Sequence, residues 1–240
     1  IMYIYGKNVA KEKLNTNDKI VKAYISKKFK DQNILNLLKE KHIKINFTDD
    51  LLLDKKVDGN HQGIILEVDD IKTLSLNEYL ELTKDKVNPL LVMLDHLEDP
   101  HNFGAIIRTC EALGVDGIII PNDRSVGVNG TVVKTSAGAI VHTNIIRVPN
   151  LTSTIEKLKK HGYWFVGTDM EGTNYTKLDY NMPICLVIGN EGHGMSKIVK
   201  SNCDFIATIP MTGKINSLNA SVSCAIVLSG IIYFMNKCVL

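Results

Sequence analysis

The sequence predicts an α/β protein in two parts: a small α/β unit, then a larger domain built on a mostly parallel sheet covered by helices. Three observations predict it. Short apolar runs alternate with amphipathic stretches from Leu90 onward, the signature of strands and helices in alternation. Leu90–Leu94 (LLVML) and Ile184–Ile188 (ICLVI) are apolar throughout, as in strands buried on both faces. Residues 70–88 are polar, charged and loosely periodic and end at Asn88-Pro89, which sets the expected division: a unit over 1–69, a connector over 70–88 and a domain over 89–240.

In the first unit, Met2–Tyr5 and Lys19–Ile25 read as strands. Asp31–Lys41 has apolar residues at 34, 35, 37 and 38 after an acidic start, which predicts a helix. Lys44–Phe47 is a short strand, and Thr48 is placed to cap a helix over Asp49–Leu53. His61-Gln62-Gly63 turns into the strand Ile64–Val68. The connector holds a helix at Ser75–Leu82. Beyond it the pattern predicts strand Leu90–Leu94, helix Asn102–Leu113 with Asn102 able to cap it, strand Gly117–Ile120, a polar loop over 122–130 and a short helix from Thr131. Strand Ile145–Val148 precedes helix Leu151–His161, which Asn150 or Thr152 caps. Strands Trp164–Thr168 and Ile184–Ile188, helix Lys197–Asn202 and strand Phe205–Ile209 lead to a terminal helix, apolar nearly all round (AIVLSGIIYFM), that either packs within a monomer or meets a partner.

Composition narrows the functions. A hydrophobic content of 45% builds a real core and excludes a disordered chain. Met2–Gly6 leads directly into a charged segment without a secretion signal, and the longest apolar run, Ala225–Met235, is too short and interrupted to span a bilayer. A cytoplasmic protein without a membrane partner is expected. Cysteines 110, 185, 203, 224 and 238 form no C-x-x-C pair and read as reduced and mostly buried. The net charge of +2 is unevenly spread: residues 1–45 hold 11 Lys against 4 acids, residues 46–88 hold 5 Lys against 10 acids, and the remainder is neutral. The basic start suits a phosphate backbone or simply a solvated lysine-rich face. Arginine stands only at 108, 124 and 147.

Three stretches carry candidate chemistry, each where a strand ends. In Leu94–Gly114 (LDHLEDPHNFGAIIRTCEALG), Asn102 and Arg108 lie nearly two turns apart; Arg108 offers a planar fork for phosphate, or pairs with Glu111. Asp95, His96, Asp99 and His101 have no matching ligands elsewhere at fixed spacing, so no metal is expected. In Leu186–Ser196 (LVIGNEGHGMS), glycines permit close approach of backbone to a ligand, and Glu191 is placed to accept a hydrogen bond from a ligand or to hold Arg108. The spacing matches neither the dinucleotide fingerprint nor the phosphate loop. In Ile209–Gly230, Ser217 and Asn219 open the last helix as caps or as chemistry.

Taken in order, D-P-x-N-x-G-A-I-x-R-T, L-V-I-G-N-E-G-x-G-M and I-P-M-x-G-x-x-x-S-L-N-x-S-V resemble the three motifs of the SpoU (TrmH) family of RNA ribose 2'-O-methyltransferases, of the SPOUT superfamily, over roughly Leu90–Leu240. The first unit, opening IYGKN and closing GNHQGI, resembles the substrate-binding domain of the family's ribosomal-RNA branch. The resemblance implies a SPOUT domain with a deep trefoil knot, a homodimer, and S-adenosylmethionine held by the backbone at Gly189, Ile209 and Leu218 with Thr168 and Met211 closing around it. It implies a catalytic set of Asn102, Arg108, Glu191, Ser217 and Asn219 and no metal. It also implies methylation of a ribose in RNA, a guanosine of large-subunit (23S) rRNA first, tRNA as the alternative, and a non-catalytic RNA-binding protein as the third reading. A guanidinium holds its proton too firmly for a good base, so Arg108 is expected to clamp phosphate and stabilise the developing alkoxide. Ala220 stands where the family commonly has Val.

Overall fold

A computed structural model describes residues 1–214 and 217–236. The chain forms two compact units: Ile1–Lys72 with Gly127–His142, and Thr73–Val126 with the chain from Thr143 onward.

In the first unit, β1 (Met2–Tyr5), α1 (Lys7–Asn15), β2 (Ile20–Ser26), α2 (Gln32–Glu40), β3 (Ile45–Thr48), α3 (Asp50–Asp54) and β4 (Ile64–Val68) build a four-stranded sheet of order β1-β4-β2-β3, parallel only at β2-β3. Helix α2 starts where expected because the Asp31 carboxylate accepts from Ile34 N–H at 3.3 Å. Helix α1 was not expected: its cap position, Gly6, has no side chain to signal a start, and only tertiary packing of Val9, Ala10 and Leu14 defines it. Thr48 does not cap α3. It ends β3, and Asp49 holds the cap position while its carboxylate pairs with Lys27 at 3.1 Å.

The second unit begins with α4 (Leu76–Leu82), started by a complete Ser75/Glu78 capping box. It continues through β5 (Leu90–Leu94), α5 (Pro100–Ala112) and β6 (Gly117–Pro121). The chain then returns to the first unit for α6 (Gly130–Thr135), which lies against β1 where a Cβ on Gly130 would stand 3.2 Å from the Tyr3 carbonyl. The expected division at 70–88 makes each domain one continuous stretch; Gly127–His142 crosses it, tied to the first unit by Lys134 over the Tyr5 ring and by His142 against Glu12.

The rest of the second unit comprises β7 (Ile145–Val148), α7 (Leu151–Lys160), β8 (Trp164–Asn174), β9 (Ile184–Ile188), α8 (Lys197–Ser201), β10 (Phe205–Thr208) and α9 (Ala220–Asn236). Its sheet runs β10-β8-β9-β5-β6-β7, parallel at each pairing. Strands β5 and β9 are buried along their whole length, as their uninterrupted apolar sequences require. Strand β8 runs past Thr168 because, after a register shift in which β8 carries the extra residues 168–172, Ala207 and Thr208 pair with Thr173 and Asn174. One face is sealed by α4 and α7 through Leu76, Tyr79, Leu151, Ile155 and Leu158. Helix α9 lies against α5 and β9 and buries Cys224, Val227, Leu228 and Ile231. Burial and the neighbouring Cys224 push the Cys110 thiol up, so it stays an inert apolar group. Cys110, Cys185, Cys203 and Cys224 are free thiols, and Cys238 lies outside the described residues. Among the described residues, no helix is long and apolar enough to cross a membrane.

Helix α9 can approach the short turn at Tyr175–Lys177 only because Gly230 has no side chain: a Cβ there would stand 2.5 Å from Tyr175 Cε2. Gly230→Ala is therefore expected to lower unfolding free energy by about 1–3 kcal/mol, against Ala's intrinsic advantage of about 1 kcal/mol in a helix. Urea denaturation measures the loss, and the double variant with Tyr175→Ala should recover most of it.

Candidate functional site

Because the strands are parallel, the segments that follow β5, β9 and β10 leave the same rim of the sheet. Leu94 pairs with Ile188, and Gly167 faces Val187, so the rim is level across β5, β9 and β8. A cleft of about 400 Å³ opens there, within the size range of small-molecule sites.

One wall is the turn after β9. Asn190 and Gly194 exchange both backbone hydrogen bonds, at 3.0 and 2.9 Å, and the Asn190 carboxamide oxygen accepts from Gly192 N–H at 2.8 Å. A Cβ at Gly189 would meet Gly194 C and Met195 N at 2.3 Å, so only glycine lets the turn fold back on itself. The opposite wall comes from Ile209, Met211, Ser217, Leu218 and Ala220, and the floor from Thr168, Asp169 and Ala207. The Thr168 hydroxyl donates to the Val187 carbonyl at 3.1 Å. Lys200, bonded to Asp169 at 2.7 Å, holds that carboxyl below the usual carboxylate range.

The three stretches meet through one buried amide. Asn102, 7% exposed, donates from Nδ2 to Glu191 Oε1 at 2.9 Å, and its Oδ1 accepts from Asn219 Nδ2, also at 2.9 Å. Asn219 in turn caps α9: its Oδ1 accepts from Ser221 N–H at 2.9 Å, Ser221 Oγ at 2.6 Å and Val222 N–H at 3.4 Å. Asn102 does not cap its own helix; Pro100 starts α5 and the Asp99 carboxylate accepts from His101 N–H at 2.9 Å. Glu191 holds Asn102 and not Arg108.

The sequence-derived residues therefore fall into three groups. Thr168, Gly189, Glu191, Ile209, Met211, Ser217 and Leu218 line the cleft, and Asn102 and Asn219 support it from behind. Arg108 does not line it. It is exposed on α5, and among the described residues it makes no ion pair, so Glu111 is not its partner. Asp169, Asn190 and Ser223 also line the cleft; sequence reasoning missed them because a lone Asp inside a strand, an Asn in a glycine-rich turn and a Ser inside an apolar helix carry no local signature.

Residues 89–229 match the SpoU rRNA Methylase family, and residues 3–74 match the RNA 2'-O ribose methyltransferase substrate binding domain. The YacO protein of Bacillus subtilis, whose name places it in the TrmH family of tRNA/rRNA methyltransferases, is 41% identical over 231 residues, covering 94% of this chain and 93% of its own. Among solved structures, the SpoU methyltransferase AviRb from Streptomyces viridochromogenes, in complex with the cofactor AdoMet, superposes with a TM-score of 0.81 at 22% identity, over 96% of this chain and 89% of that one. The A. aeolicus TrmH/SpoU tRNA modifying enzyme is 30% identical with a TM-score of 0.58, over 68% of this chain and 83% of that one.

The Asn102 relay makes a charge-sensitive prediction. Asn102→Asp replaces the donor facing Glu191 with a second carboxylate, and like charges so placed raise one carboxyl's pKa in the folded state. A raised carboxyl pKa makes the folded state bind protons more tightly, so the added stability is present at low pH and lost as pH rises. Urea denaturation should show the variant losing about 1–3 kcal/mol relative to the parent at pH 8 and less of it at pH 5.

Proposed function

The chain belongs to the SpoU rRNA methylase family, and from that premise we propose that it transfers a methyl group from S-adenosylmethionine to a ribose 2'-hydroxyl of RNA. The observation that carries the reading is the Asn219–Asn102–Glu191 relay, which joins three separate strand-end segments around one cleft. The cleft fits the cofactor in chemistry as well as size: Ile209, Met211 and Leu218 offer apolar surface to a base and ribose, and the glycine-rich turn offers backbone groups at Gly189. When bound, S-adenosylmethionine supplies an electrophilic methyl on a sulfonium. The deep trefoil knot and a homodimer through α9 belong to the same proposal; Val222 and Tyr233 stand exposed on that helix, 45% and 59%.

In this reading Asn102 holds Glu191 and Asn219 at fixed separation, and the Ser217 hydroxyl faces the ribose. Arg108, exposed and without an ion pair among the described residues, grips an RNA phosphate and stabilises the developing alkoxide. The first unit binds the RNA, and its lysine-rich first 45 residues neutralise phosphates. The name of the matching family, SpoU rRNA Methylase, supports ribosomal RNA, and a guanosine of the large-subunit rRNA is the target we favour over tRNA, in a cytoplasmic setting.

Tritiated methyl transfer to naked rRNA, ribosomal subunits and tRNA, followed by mapping of the modified nucleotide, tests reaction and substrate together. Methylation of tRNA alone overturns the ribosomal choice. Absence of S-adenosylmethionine binding by calorimetry overturns catalysis in favour of an RNA-binding role. Arg108→Ala is expected to lower transfer by about 100-fold or more and to leave the cofactor dissociation constant unchanged; transfer at the parental rate would remove Arg108 from the mechanism.

A further inference from the structure

Asp95 is a buried carboxylate that the proposed chemistry does not use. It follows β5 directly and is 1% exposed. Its N–H donates to the Ile188 carbonyl at 2.8 Å, carrying the β5–β9 pairing one residue further. One carboxylate oxygen accepts from Ser196 N–H at 2.6 Å, and the other meets His96 Nδ1 at 2.6 Å. His96, held at φ 60°, presents its carbonyl to Asn190 Nδ2 at 2.8 Å. Asn190 and Ser196 bound the segment that forms the glycine-rich wall of the cleft.

Both bonds to the carboxylate are short, as in charge-assisted hydrogen bonds, and a buried charge cannot release its donors without a large desolvation cost. Starting α8 is not the reason for the Ser196 bond, because the Ser196 hydroxyl caps that helix itself through Val199 N–H. The left-handed backbone at His96 is sterically costly for a residue with a Cβ, and the bonds through its ring and carbonyl hold it there. Asp95 thus ties both ends of the turn to the end of the central strand.

We infer that Asp95 is a positioning residue for the cofactor wall: it fixes the Gly189–Ser196 turn, and with it the Gly189 backbone, before any ligand arrives. The identity of the ligand rests on the function proposed above; the clamp does not.

Asp95→Asn keeps the size and removes the charge, and it aims an amide at one of two donors. The parent and the variant are compared by tritiated methyl transfer, by S-adenosylmethionine calorimetry and by hydrogen exchange of the ligand-free protein. The cofactor KM and Kd are expected to rise about tenfold as a charge-assisted bond is lost, with kcat and the RNA KM changing less than about threefold. Amide exchange should accelerate in residues 189–196 and not in β5 or β9. An unchanged cofactor KM, or equal rises in both KM values, overturns the inference, since a role in general stability does not separate the two. Should Asp95→Asn not fold, His96→Gly accepts the left-handed backbone and removes only the ring's bond to the Asp95 carboxylate: faster exchange in the turn with a cofactor Kd raised about threefold supports the clamp, and an unchanged Kd overturns it. A parent protein that binds no S-adenosylmethionine refutes the functional reading, while the exchange measurement still decides the clamp.

Discussion

Everything at the cleft depends on one constraint: a carboxamide buried at Asn102 must have its donor and its acceptor satisfied. An unmet polar group in that position costs about 1–3 kcal/mol. Its donor finds Glu191 in the turn after β9, and its acceptor finds Asn219 at the start of α9. Each partner lies far away in sequence, so the amide is paired only when all three segments are in place together. Local order at the cleft is thereby coupled to the global fold, which a surface turn of glycines does not achieve alone.

The sheet makes that meeting possible. Parallel strands deliver their following segments to one rim, and β5 and β9, apolar on both faces, anchor the two central ones where water does not compete. Rigid strands then carry irregular segments whose shape is set by hydrogen bonds. Asp95 extends the strand's own pairing into the turn, and Asn102 extends the helix into it from the other side. The wall of the cleft is held at both ends by the sheet and in the middle by α5.

This division explains what was legible in the sequence. Strand β5, strand β9 and the turn glycines were readable because their signals are local: uninterrupted apolar runs, and positions where a side chain has no room. The residues lining the cleft were reached through motif resemblance, which carries spacing across the whole domain. Helix α1 was missed because Gly6 gives no cap signal, and the extension of β8 was missed because pairing with β10 beyond a register shift is a tertiary event. Asn102 was placed as a possible cap because Asn favours that role; its partners, 89 and 117 residues away, are invisible to any local rule. The placement of Gly127–His142 with the first unit has the same cause.

The relay also separates the roles of two neighbours that sequence left joined. Asn219 uses its oxygen for three donors at the start of α9 and one amide proton for Asn102. A side chain so committed holds the helix and the relay in register, and it reaches a ligand with only its remaining amide proton. Ser217 is the opposite case. It lines the cleft, is exposed, and among the described residues its hydroxyl has no hydrogen bond. The cap that Ser217 could supply comes from Asn219 instead, and among the described residues the Ser217 hydroxyl stays without a hydrogen bond on that wall. Of the two polar residues that open this helix, Asn219 is spent on its start, and Ser217 turns to the cleft.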